Sequence, residues 1–216
     1  MKMNVGVVVV VVVVALLSCL MPVRAADPDP ILDYCVADPT VTTSFFNGLP
    51  CKDPATVTSA DFRSTAFRAK PDTGNPLGIA LGFAAGATFP ALNTQGLTLV
   101  KIDYAKTGGF VPPHVHPRAS ELIYVLEGAV EVGFVDTSGK FFNTTLYTGD
   151  LFVFPRGLIH YQNSVPSPTY PSLSLSALNS QNPGLSLVAS ALFGSTPGIP
   201  DSILAKTLSI TPTQVE

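Results

Sequence analysis

Apolar and polar residues alternate with a period of two along the middle of this chain, in short runs cut by turn signals. From about Gly96 the spacing of these runs is that of an all-β sandwich or barrel. In the clearest stretch, Leu122 to Val135, Ile123 and Val125 precede Glu127-Gly128, while Val130, Val132 and Phe134 follow it. Two strands joined at Glu127-Gly128 are expected to form a hairpin. Further runs cover Phe141 to Tyr147, Leu151 to Phe154, Leu158 to Gln162 and Leu173 to Leu178. Helical character is confined to the C-terminal part. Leu185 to Phe193 fits either strand or helix, and Asp201 to Leu208 reads as a short helix opened by Pro200 and Asp201. Thr211-Pro212-Thr213-Gln214 has the form of a capping box with proline at the first helical position. The chain stops at Glu216, barely a turn later, so a final helix is expected to be missing or unusually short, which bears on assembly.

The N-terminal part shows no such periodicity. Met1 to Asn4 carry one basic residue, Val5 to Leu17 carry no charge, and Val23 and Ala25 are small residues placed for a cut after Ala25. This is the pattern of a secretory signal peptide over 1–25, and its apolar run is shorter than the roughly 20 residues of a membrane span. Residues 26–77, rich in Asp, Pro, Thr and Gly, read as an extended arm; 78–180 hold the β-barrel and 181–216 a C-terminal helical segment.

Removing the signal changes the charge and the cysteine count. Without Lys2 and Arg24, ten of the twelve basic residues remain against fifteen acidic ones, a net charge of −5, which speaks against nucleic acid as a partner. The mean hydropathy of +0.38 owes part of its value to the valine run, so no membrane association is expected after cleavage. Cys19 leaves with the signal. Cys35 and Cys51 remain as an even pair in an oxidising compartment, where a disulfide is the expected state. Asn143-Thr144-Thr145 is a glycosylation sequon beside the turn residues Thr137-Ser138-Gly139-Lys140, as expected of a secreted surface hairpin.

The candidate chemistry rests on three histidines, the only ones in the chain. His114 and His116 stand at i and i+2, on one face of a strand. Glu121 lies at an odd offset from His116, but Pro117 interrupts the run, and such a break can return Glu121 to the histidine side. His160 belongs to another strand, entered through Pro155-Arg156-Gly157. Taken singly, His160 reads as a core or surface histidine, and the Pro112 to Pro117 string as a rigid loop. Together they form a three-imidazole, one-carboxylate set without thiolate, which suits Mn(II) or Fe(II) with about two positions left open; zinc fits less well.

Gly108 to Glu121, closing at Gly128, resembles the first cupin motif in the form used by germins and germin-like proteins, and Gly149, Pro155, Gly157 and His160 resemble the second. The similarity extends to the arm (Asp33 to Asp38, Asn47 to Lys52) and to Ser180 to Gly184. It implies a single cupin jelly-roll β-barrel with an extended N-terminal arm and short C-terminal helices. It further implies secretion to the plant apoplast, manganese (iron less so) on His114, His116, Glu121 and His160, a Cys35 to Cys51 bridge, and a homohexamer, either a trimer of dimers or a dimer of trimers. Germins that oxidise oxalate carry two asparagines at positions that align with Val100 and Val111, and valine cannot donate a hydrogen bond to an oxalate oxygen. The family's second motif also has an asparagine four residues after its histidine; here Asn163 is three after and Ser164 holds that place. The expectation is therefore a manganese-dependent oxidoreductase of the superoxide dismutase type acting on a small anion, with a role in defence or the cell wall and without oxalate oxidase activity. The alternative is a non-enzymatic, metal-stabilised structural, defence or storage protein of the apoplast.

Overall fold

The computed structural model describes residues 33–40, 48–69 and 71–215. The signal segment 1–25 and parts of the arm (26–32, 41–47) lie outside the described residues. Ten strands occur among the described residues: β1 Ile79–Ala84, β2 Thr98–Tyr104, β3 Phe110–Val115, β4 Glu121–Glu127, β5 Ala129–Val135, β6 Phe141–Tyr147, β7 Leu151–Phe154, β8 Ile159–Ser164, β9 Leu173–Leu178 and β10 Ser186–Leu187. They form two five-stranded antiparallel sheets, ordered β1-β2-β9-β4-β7 and β10-β3-β8-β5-β6. From β2 onward the chain crosses between sheets at every connection except β5 to β6. This all-β jelly-roll barrel places neighbours in sequence on opposite walls of one interior.

The interior follows from the period-two pattern. Ile79, Val100, Ile102, Tyr104, Val111, Ile123, Val125, Val130, Val132, Leu146, Phe154 and Leu178 form a contiguous buried cluster drawn from both sheets. Each fully buried aliphatic or aromatic side chain contributes about 1.5–3 kcal/mol by leaving water. Crossovers do not disturb that alternation, because each strand still turns one face inward.

The expected hairpin at Glu127-Gly128 is corrected by the sheet topology. The two strands are there, but β4 pairs with β7 and β9, while β5 pairs with β6 and β8. Gly128, at φ 78°, turns a corner between the sheets instead. A Cβ there would lie 2.4 Å from Ser172 Oγ, so the corner needs glycine. The true hairpin is β5–β6, closed where Asp136 Oδ1 accepts from the amides of Ser138 (2.8 Å) and Lys140 (2.9 Å).

The arm has three short 3-10 turns, at Pro54–Thr56, Ser59–Phe62 and Ala66–Arg68. It is tied down at one point: Cys35 and Cys51 are bonded, Ala37 pairs with Cys51, and the buried Asn93 amide both accepts from Leu49 N (3.0 Å) and donates to Leu49 O (2.7 Å). In the ambiguous stretch from Leu185, β10 adds two residues of strand to β3 and α1 (Val188–Phe193) follows directly. One barrel strand therefore lies beyond residue 180. The helix α2 spans Asp201–Leu208 as the pattern predicts, and the Gln214 side chain accepts from Thr211 N at 2.9 Å. Among the described residues no helix is long and apolar enough to cross a membrane.

Candidate metal centre

The site is built where β3 and β8 run side by side and face β4. His114 pairs directly with His160 across the β3–β8 ladder, and Val111 pairs with Gln162. The register shifts between Val111 and His114, so two residues at an odd spacing both point inward. The shift falls at Pro112 and Pro113, which have no amide to give to the ladder. His116 stands one residue past β3. Pro117 and Arg118 then make a turn, and Glu121 opens β4 in the opposite sheet. Pro117 thus ends one wall and starts the crossing to the other, so Glu121 meets the histidines from across the barrel.

The ligand atoms of His114, His116, Glu121 and His160 lie within 4.8 Å of one another. Glu121 Oε2 is 3.1 Å from His116 Nε2 and 3.3 Å from His160 Nε2. Each imidazole is aimed by a main-chain carbonyl at its other nitrogen: Pro112 O for His114 (2.8 Å), Leu158 O for His160 (2.8 Å) and Gly184 O for His116. Such contacts fix Nδ1 as the protonated nitrogen and leave Nε2 free as a ligand. The Gly184 carbonyl is itself held in place. Arg118 clamps the preceding residues through Asn182 O (2.7 Å) and Asn182 Oδ1 (2.9 Å), and Gly184 sits at φ 72° against Pro117.

The electrostatics suit a cation. Burial pushes the Glu121 carboxyl up, but its contacts with His116 and His160 outweigh it and hold the group well below the usual carboxylate range. Burial, helped by the nearby His160, pushes His114 down to about 4, so it is neutral at physiological pH. Burial also lowers His116, yet its contacts with Glu121 and Gly184 prevail and raise it. Three imidazole nitrogens and one ionised carboxylate, buried and preset in direction, fit a divalent transition ion.

Three residues around the ligands were not singled out by their sequence. Gln162, 1% exposed, donates from Nε2 to Glu121 Oε1 at 2.7 Å. Phe154 stacks on the His160 ring, with centroids 4.5 Å apart. Gly184 supplies the carbonyl described above. Only Gln162 left a signal in the sequence, its i+2 spacing from His160 on one strand face. Asn163 points outward, where it reaches Glu131, while Ser164 is buried and its Oγ accepts from Gly109 N at 2.9 Å. Val100 and Val111 both lie in the buried cluster. Thr98 Oγ1, Ser176 Oγ and Gln162 Oε1 are buried without a completed hydrogen bond, and Ser176 comes near enough to lower Glu121 further.

Comparison with known proteins agrees with this picture. The cupin family profile matches residues 64–216. The chain is 47% identical over 193 residues to germin-like protein subfamily 2 member 1 of Arabidopsis thaliana, covering 89% of this chain and 86% of that one. It is 42% identical over 194 residues to germin-like protein 1-3 of Oryza sativa subsp. japonica, covering 89% and 86%. A solved structure of oxalate oxidase in complex with the substrate analogue glycolate superposes with TM-score 0.81 at 35% identity, over 88% of this chain and 94% of that one. Peruvianin-I, described as a cysteine peptidase from Thevetia peruviana latex, superposes with TM-score 0.70 at 38% identity, over 76% and 98%. Both described cysteines of the present chain are consumed by the Cys35–Cys51 bridge, so among the described residues there is no free thiol.

Proposed function

Since this chain belongs to the germin-like proteins of the cupin family, we propose that it is a secreted apoplastic protein holding one manganese ion on His114, His116, Glu121 and His160 and dismutating superoxide. The observation that carries the reading is the buried, preset N3O cluster. Manganese is preferred over zinc because the set has four protein donors, no thiolate and a hard carboxylate. A bound manganese would supply one-electron redox chemistry, so that two superoxide ions and two protons yield dioxygen and hydrogen peroxide.

The residues of the chain do the rest. Carbonyls of Pro112, Leu158 and Gly184 keep the imidazoles aimed, and Gln162 keeps one carboxylate oxygen turned away so that the other faces the histidines. Val100 and Val111 keep their part of the interior apolar, and Thr98 and Ser176 add buried hydroxyls without a completed hydrogen bond. A diatomic anion needs no more than that. Oxalate, with four oxygens to satisfy, would lose donors at both valines, and desolvating it there without partners is costly. Oxalate oxidation is therefore excluded from the proposal.

Secretion draws support from the N-terminal pattern and the closed disulfide. Assembly into a homohexamer draws support from the outer face of the first sheet, where Leu81, Phe83, Leu122, Leu151 and Val153 are exposed. A second reading, a wall or defence protein in which metal only stabilises the barrel, is favoured by one feature: the ligands come from both sheets, so a cation there would tie them together. The test is metal analysis of the secreted protein, followed by superoxide and oxalate assays on the same sample. Superoxide turnover above equimolar free manganese, lost in His116→Ala along with the metal, is expected. Stabilisation by manganese with no turnover would replace this reading with the second, and hydrogen peroxide from oxalate would overturn the role given to the valines.

A further inference from the structure

The outer face of the second sheet carries an aromatic platform that the metal centre does not use. Asn143 on β6, Gly133 on β5 and Tyr161 on β8 lie in one row across three strands. Phe141 is two residues before Asn143 on the same strand, so their side chains share a face. Its ring does not stand upright. It leans over Gly133 and stacks with Tyr161, with centroids 6.2 Å apart and planes 21° from parallel. Only glycine permits this, because a Cβ at Gly133 would lie 2.7 Å from Phe141 Cε2 and 2.9 Å from Tyr161 Cε1. The Tyr161 hydroxyl is pinned by Glu131 Oε1 at 2.9 Å. The result is an apolar surface, continued by the exposed Val135 and Ile159 in the row of Phe141, half exposed at Phe141 and directly beside an exposed asparagine that begins Asn143-Thr144-Thr145.

We infer that Asn143 carries an N-linked glycan whose first N-acetylglucosamine packs on the Phe141–Tyr161 platform. The inference rests on the secretion proposed above, which brings the sequon to the transferase. In the transfer, a lipid diphosphate-linked oligosaccharide is the donor. The bond from its anomeric carbon to the diphosphate oxygen breaks, a bond from that carbon to Asn143 Nδ2 forms, Nδ2 gives up one proton, and the lipid diphosphate leaves. The C–H face of a pyranose is apolar, and an aromatic face with its negative quadrupole receives it. On the side of the platform away from Val135 and Ile159, the row of Glu131, Thr145 and Asn163 is polar and matches the hydroxyl-rich rim of a sugar.

The test uses the full chain secreted from plant cells, and the same chain with residues 1–25 replaced by an established secretion signal. Mass spectrometry is expected to find Asn143 occupied. If only the replaced version is secreted, the secretion reading fails and the glycan is judged on that version. A secreted product bare at Asn143 overturns the inference. For packing, glycans are trimmed enzymatically to the first sugar, and Tm is compared with that of Asn143→Gln. The one-sugar protein is expected to melt about 2–4 °C higher, the shift of one aromatic contact in a domain of this size. In a Phe141→Leu background that retains its disulfide and metal content, the difference should vanish. An equal difference in both backgrounds overturns the packing.

Discussion

Replacing Gln162 by leucine separates the holding of Glu121 from the holding of the metal. Gln162 is fully buried and donates to Glu121 Oε1 at 2.7 Å, opposite the oxygen that meets His116 and His160. Leucine fills nearly the same volume, so no cavity term enters. What is lost is a hydrogen bond to an ionised group, about 1.5–3 kcal/mol. In the metal-free protein the loss is partly offset, because the orphaned Gln162 Oε1 disappears with the side chain. With metal bound, Glu121 would face the cation through the oxygen that now meets the histidines, and Oε1 would be left buried with no donor. The cost falls on binding, and at about 1.4 kcal/mol per decade it lowers manganese affinity about 10- to 100-fold. Competition against a calibrated chelator measures it, with melting of the metal-free protein as control. An affinity within about twofold of wild type would refute the reasoning, as would a loss confined to the stability of the metal-free protein.

Acidification should release metal in an order set by the histidines. His116 is raised above the ordinary imidazole range in the metal-free fold, so as pH falls through that raised value a proton competes with the cation there and affinity falls; His114, pushed down to about 4, adds its own competition only near that pH. Retention that stays flat until about pH 4 would show that His116 does not set the limit. Gly109→Ala should destabilise the protein by about 1–3 kcal/mol or more, because a Cβ at 109 would lie 2.1 Å from the backbone oxygen of Gly78 and would push the start of β3 outward. Thermal melting measures this, and metal affinity should fall with it; an unchanged Tm would mean that the two backbones can part freely. Paired Cys35→Ser and Cys51→Ser substitution opens a bridge of sequence separation 16 and should cost about 3 kcal/mol, seen as a lower denaturation midpoint while the barrel's metal affinity is kept.

The period-two pattern yielded the strands from β4 to β9, though not β1 at Ile79–Ala84, because most of them bury one face, and that constraint does not depend on which strand each pairs with. Pairing was not legible for the same reason. Ile123, Val125, Val130 and Val132 are fully buried whether β4 and β5 form one hairpin or face each other from two sheets, and Glu127-Gly128 serves either turn. The ligands stood out because the chain has no other histidine and because Pro117 breaks the spacing at the right place. Their surroundings did not. On β8 the usual rule is inverted: His160, Gln162 and Ser164 point inward while Ile159 is exposed, so polarity alone would turn the strand inside out. The bulge at Pro112 and Pro113 places Val111 beside His114 through backbone register, and the carbonyls of Leu158 and Gly184 leave no side-chain signature at all.

The carbonyls that aim the three imidazoles belong to the main chain, whereas Val100, Val111, Thr98 and Ser176 shape the buried interior through their side chains. Retention of the ion and reception of the guest are therefore written in different atoms, and they can be edited independently. A lineage built on this scaffold can exchange its chemistry one interior residue at a time, with the ion's seat left untouched throughout. An engineer seeking a new reaction would leave the histidine loops and Glu121 alone and vary the interior side chains that do not touch them.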